Sequence, residues 1–121
     1  MRSYKEMDIN AIKERLREFA DARDWDKFHS PKNLAMALSA EAGELLEVFQ
    51  WLTEEESRNP DKKVLARANE ELADVIIYAI RLADKLNVDI SRAVEEKIES
   101  NGEKYPVEKS KGNAQKYSDL K

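Results

Sequence analysis

Apolar residues recur along this chain at helical spacing. Ile9, Ile12, Leu16 and Phe19 form one stripe and predict a first helix from about Asp8 to Arg23. A second opens at Ser30-Pro31, a capping residue followed by a proline suited to a first helical turn. It carries Leu34, Leu38, Leu45, Val48 and Leu52 along one face. Asn59-Pro60 offers the same kind of start for a third, expected to last until about Leu86. The fourth begins near Asp89, carries Ile90, Val94 and Ile98, and is expected to end at Asn101-Gly102. In the third helix Leu72, Ala73, Val75, Ile76, Ile77, Ala79, Ile80, Leu82 and Ala83 wrap most of the circumference. A helix apolar nearly all round is buried nearly all round. One small bundle leaves too much outer surface for that, so self-association as a symmetric dimer or larger is expected.

Composition narrows the chemistry. The 121 residues make one domain over 1–121, with 107–121 as a basic C-terminal tail. With 38% charged residues but only three glycines and three prolines, the chain favours helices over a turn-rich sandwich. No apolar run reaches the roughly 20 residues of a membrane span, and Met1 to Asn10 holds no apolar signal-peptide core. No membrane partner and a cytoplasmic location are therefore expected. The absence of cysteine removes disulfides, thiolate metal sites and cysteine nucleophiles, and a single histidine removes most histidine-based metal sites. A net charge of −4 argues against binding a nucleic-acid polymer. Residues 101–121 hold five lysines against three acids. That tail is either solvated or folded toward a bound anion.

Certain acids break the apolar rows. Glu41 falls inside the stripe of the second helix, with Glu44 three residues on and Gly43 between them. A desolvated carboxylate is costly without a cation or hydrogen bonds. Glycine in mid-helix costs about 1 kcal/mol against alanine, so Gly43 is expected to admit a close approach. The third helix repeats the pattern as Glu71-Leu-Ala-Asp74, just before Val75, Ile76 and Ile77, with Tyr78 one turn further on. If the two helices pack side by side, four carboxylates converge with nothing local to neutralise them. Oxygen-only clusters suit hard cations, so Mg²⁺, or Mn²⁺, is the expected filling. Such ions keep positions for water and phosphate, and the reaction class that follows is metal-assisted hydrolysis of a phosphoanhydride. Glu47 and Glu70 are further candidates for a ligand or base, or are solvated helix-face residues.

By residue type alone, Trp25 and Trp51 are core aromatics or ring-binding surfaces, and Tyr78 an amphipathic residue at a bundle edge. His29 reads as a capping or packing residue and Lys97 as a surface lysine. Their joint pattern says more. Glu41-Ala-Gly-Glu44, Phe49-Gln50-Trp51 and Glu71-Leu-Ala-Asp74-Val-Ile-Ile-Tyr78 together resemble the MazG-like superfamily of all-α nucleotide pyrophosphohydrolases, most closely its dCTP pyrophosphatase group. The likeness extends through Arg23-Asp24-Trp25, Phe28-His29, Pro31, Asn33, Lys97, Asn101, Tyr105-Pro106 and Lys116-Tyr117-Ser118-Asp119-Leu120, nearly the whole chain.

The resemblance implies a four-helix bundle assembled as a dimer or tetramer. It implies cleavage of a nucleoside triphosphate between the α- and β-phosphates, giving a nucleoside monophosphate and pyrophosphate, with dCTP or a 5-modified dCTP favoured. It assigns Glu41, Glu44, Glu71 and Asp74 to catalysis as Mg²⁺ ligands. Trp25, Trp51 and Tyr78 would lie at the nucleotide, Lys97 and Asn101 would meet phosphate or sugar, and Tyr105 would help close the site. One position departs: Leu16 stands where some animal members carry a base-facing histidine. Two alternatives remain open, a pyrophosphatase for another nucleotide such as dUTP, and a non-enzymatic helical dimerisation module. A di-iron carboxylate bundle would need two Glu-x-x-His motifs, and the single histidine at 29 supplies none.

Overall fold

The computed structural model describes residues 6–120, which form helices and no strands. They divide into two compact units, Met1–Val88 and Asp89–Lys121.

In the first unit, helix α1 (Ile9–Ala22) starts where the Asp8 side chain accepts from the Ala11 N–H. Helix α2 (Pro31–Phe49) starts at Ser30, whose hydroxyl accepts from the Asn33 N–H, with Pro31 in the first turn. It ends before Leu52, which therefore lies beyond the helix whose stripe it was expected to continue. A five-residue helix α3 (Glu54–Arg58) intervenes, unanticipated although its signal is in the sequence. Thr53 and Glu56 form a reciprocal capping box, each side chain taking the other's backbone N–H. Helix α4 (Lys62–Lys85) is consequently capped by Asp61 and starts after the expected Asn59-Pro60.

Two turns share one device. At Asp24 and Asn87 φ is +55°, the left-handed region that Asp and Asn tolerate better than most residues. Trp25 N–H bonds to Ala20 O and Asp24 N–H to Asp21 O; Val88 N–H bonds to Ala83 O and Asn87 N–H to Asp84 O. Each is a Schellman motif, closing α1 and α4 and folding the next residue back onto its helix.

Helix α2 packs along α4, and α1 lies against α4. The interior is small: Ala20 from α1, Leu34 and Val48 from α2, and Ala68, Ile80 and Ala83 from α4. Among the described residues Leu34, 1% exposed, is the one large side chain wholly enclosed. Leu65, Leu72 and Ile76, seven and four residues apart and so on one face, are 52%, 50% and 43% exposed.

In the second unit, α5 (Ile90–Lys104) is capped by Asp89. It runs through Asn101-Gly102, where it was expected to stop, and ends at Tyr105, whose successor Pro106 disfavours a helical residue before it. A single helical turn, α6 (Val107–Ser110), follows in the segment expected to be irregular.

Candidate functional site

The packing of α2 on α4 sets the acids together. Glu41, Glu44 and Glu71 each offer a carboxylate oxygen, all within 4.8 Å of one another. Oε2 of Glu41 and Oε2 of Glu71 are buried with no hydrogen-bond partner. No ion pair among the described residues involves any of the four acids. Burial pushes the Glu41 carboxyl up to about 7, helped by hydrogen bonds with Glu71 and Glu44 and by the charges of Glu44 and Asp74. Burial is also the main force raising Glu71. Like charges brought this close without a counter-ion hold a proton until a cation replaces it. The two orphaned oxygens and the oxygen-only donor set fit a hard divalent cation. Asp74, one turn along α4 from Glu71, is outside the tight trio but near enough for its charge to raise both glutamates. Gly43 behaves otherwise than expected: a Cβ there would meet nothing within 4 Å, so within this chain it admits no close neighbour.

Asp74 also lines a cavity of about 390 Å³ with Leu16, Phe19, Ala20, Trp25, His29, Ile77, Tyr78 and Arg81. The turn after α1 builds its aromatic wall. The Schellman motif brings Trp25 back over Phe19, the rings meeting edge to face with centroids 5.8 Å apart. The Arg23 guanidinium stacks over the other ring, 3.6 Å from the Phe19 centroid. Tyr78 reaches the cavity from α4, one turn beyond Asp74. Acid cluster and aromatic cavity thus adjoin at Asp74.

Arg81 was not singled out by the sequence reading, although it is the one charged residue between Val75 and Ala83. Only 5% exposed, it is held by Asp26 (2.7 Å), Asp84 (3.4 Å) and His29 Nδ1 (3.2 Å). His29, read as a capping or packing residue, also lines the cavity.

Of the other expected residues, Trp51 is not among those lining the cavity, and Lys97, Asn101 and Tyr105 belong to the second unit. Trp51 follows the end of α2 and is 87% exposed. Lys97 and Asn101 share a face of α5 in the second unit, and the N–H of Tyr105 bonds to Asn101 O at 2.9 Å. The Tyr105 ring meets Tyr117 edge to face with centroids 6.3 Å apart, and Lys104 Nζ lies 4.9 Å from the Tyr117 centroid.

Comparison with known proteins identifies the family. The MazG-like family model matches residues 36–120, which include all four acids. The dCTP pyrophosphatase 1 of Rattus norvegicus is 48% identical over 105 residues, covering 85% of this chain and 62% of that protein. The Homo sapiens protein of the same name is 42% identical over 105 residues with the same coverage. The chain therefore spans 62% of the length of these curated relatives. The crystal structure of a pyrophosphatase from Archaeoglobus fulgidus DSM 4304 superposes with a TM-score of 0.74 at 39% identity, covering 88% of this chain and 99% of that one. A family model that matches 36–120, well over half of the sequence, means that this chain belongs to the MazG-like family.

Proposed function

We propose that this protein is a divalent-metal-dependent nucleoside triphosphate pyrophosphohydrolase. It cleaves between the α- and β-phosphates to give a nucleoside monophosphate and pyrophosphate, and dCTP or a 5-modified dCTP is the favoured substrate. The observation that carries this reading is the meeting of the acid cluster with the aromatic cavity at Asp74. A base in the cavity would place its own phosphates toward the acids. The names of the relatives, dCTP pyrophosphatase 1 and a pyrophosphatase, support the same reaction.

Glu41, Glu44, Glu71 and Asp74 are the residues that would hold Mg²⁺, with Mn²⁺ as the alternative. Bound there, the ion would neutralise phosphate oxygens and lower the pKa of a water ligand. Without a cation, Glu41 keeps its proton up to about pH 7, so the empty cluster does not present four full charges to the triphosphate. Trp25 and Tyr78 would hold the base by stacking and edge contacts, which place the anhydride in line for displacement. Trp51 would add a second ring at the nucleotide. Lys97 and Asn101 would meet phosphate or sugar, and Tyr105 would close the site. The family match runs through both compact units, which supports one catalytic domain over the whole chain.

Self-association, as a dimer or tetramer, belongs to the same reading. Leu65, Leu72 and Ile76 leave an apolar stripe on α4 that a second copy would cover.

The test is pyrophosphate release from a panel of canonical and 5-modified nucleoside triphosphates, with Mg²⁺ and with chelator. Chelator-sensitive release confined to dCTP and its relatives is expected. Release from dUTP instead would keep the mechanism and replace the substrate. A folded protein that cleaves none of them would be a helical association module.

A further inference from the structure

Arg81 stands between two cavities. On one side is the aromatic cavity; on the other is a charged one of about 320 Å³ lined by Arg17, Asp21, Asp26, Arg81, Asp84 and Lys85. Its two terminal nitrogens serve the charged side, donating to Asp84 and Asp26. Its Nε donates instead to Nδ1 of His29. A guanidinium has donors and no acceptor, so Nδ1 must be bare to receive it. Burial and the Arg81 charge, with a smaller contribution from Lys85, lower the His29 pKa against the opposing pull of Asp26. The ring is therefore neutral, and its single proton sits on Nε2. Nε2 has no hydrogen-bond partner among the described residues, and His29 lines the aromatic cavity. Much of the remaining lining is apolar, including Leu16, which can pack on a base but cannot pair with its edge.

We propose that Arg81 is a positioning residue that locks His29 in the Nε2-protonated tautomer, so that His29 supplies the cavity with a neutral N–H donor for an acceptor on the nucleobase edge. The acceptor is a carbonyl oxygen or a bare ring nitrogen. A base presenting a donor at that point would leave two donors facing each other out of water, and is rejected. The inference rests on the reading of the cavity as the base pocket.

His29 is the only histidine, so imidazole ¹⁵N resonances of the full chain need no assignment. The expected spectrum is a single neutral Nε2–H tautomer at pH 7.5, with the Nε2 resonance shifting when dCMP and Mg²⁺ are added. Arg81→Met should release a mixture of tautomers. Should that variant fail to fold, Arg81→Leu likewise offers no donor to Nδ1 and gives the same readout. In kinetics with dCTP, Arg81→Met and His29→Leu should raise KM about three- to tenfold with kcat nearly unchanged, the scale of one lost hydrogen bond. His29→Gln can accept from Arg81 and still donate, and should restore most of the loss. Arg17→Met loosens the same charged cluster from outside and should leave KM unchanged.

An unaltered tautomer in the Arg81 variants would overturn the inference. So would an Nε2 resonance indifferent to dCMP in an enzyme that still cleaves dCTP, or a KM raised equally by Arg17→Met. Absence of both cleavage and any shift would remove the pyrophosphohydrolase reading together with it.

Discussion

Arg17 on α1 holds Asp84 on α4 with a forked pair of hydrogen bonds, Nε to Oδ2 at 2.7 Å and the terminal nitrogen to Oδ1 at 2.5 Å. Asp84 also accepts from Arg81, which Asp26 holds independently, so the surface clasp and the buried guanidinium share one carboxylate. Arg17→Met should lower stability only modestly, because the arginine is half exposed and its pairing is screened by solvent, although its partner is nearly buried. Asp84→Ala should cost more, about 2–4 kcal/mol, since it also strips Arg81 of a buried partner. The hydrogen bonds from Arg17 hold the Asp84 carboxyl below its ordinary range. A lowered carboxyl contributes stability that is present above about pH 4 and lost as the pH falls through the folded value. Urea unfolding of both proteins from pH 7 to pH 3 should therefore show the gap between wild type and Arg17→Met closing in acid.

Glu41 predicts the opposite slope. Its carboxyl is raised to about 7, so the folded, metal-free protein holds a proton that the unfolded chain releases near pH 4. That contribution is complete in acid and fades as the pH rises toward the folded value. Metal-free wild type should lose melting temperature between pH 5 and 7.5 relative to Glu41→Gln, which carries no titrating group at 41. Equal slopes for the two proteins would show that the cluster is not compressed as described.

The same proton links metal binding to pH. A cation needs ionised oxygens, so Mg²⁺ binding at pH 6.5 should expel protons and tighten as the pH rises toward 7.5. Calorimetry in buffers of different ionisation enthalpy counts the released protons. Glu41→Gln should diminish the release and abolish turnover while the far-ultraviolet spectrum stays helical.

Trp25 and Tyr78 should govern affinity rather than chemistry. Replacing either with leucine removes a ring from the cavity, and stacking on a base is worth about 1–3 kcal/mol. KM for the preferred nucleotide should rise at least fivefold, with kcat falling less than threefold. A variant that loses kcat at unchanged KM would place the ring at the phosphates instead.

Covering the α4 stripe should stabilise the fold. Leu72→Glu or Ile76→Arg puts a charge where Leu65, Leu72 and Ile76 leave an apolar face. Light scattering should report a smaller particle, and the melting temperature should fall and lose its dependence on protein concentration. An unchanged particle mass would locate the contact elsewhere.

Periodicity made the four long helices legible, because each must bury one stripe, and the stripes survive errors at the ends. The ends were less legible. The helix from Ile90 passed through Asn101-Gly102, since a glycine permits a stop without imposing one, whereas Pro106 constrains the residue before it. Thr53 and Glu56 carried a capping box that the apolar pattern, which needs several turns, does not register.

The acids Glu41, Glu44, Glu71 and Asp74 were visible because charge inside an apolar row has a cost that a sequence displays. The cavity was visible only in part. Trp25 and Tyr78 stood out as motif residues, while Arg81 and His29, 52 positions apart, meet only because α1 and its turn fold onto α4. By itself the sequence determined the helical class, the stripes and the presence of unneutralised carboxylates, because these follow from local spacing and the cost of desolvation. Only the tertiary structure decided which carboxylates crowd together, which rings line the cavity and which nitrogen of His29 accepts from Arg81. Those depend on distances of a few ångströms between segments that the chain order leaves far apart.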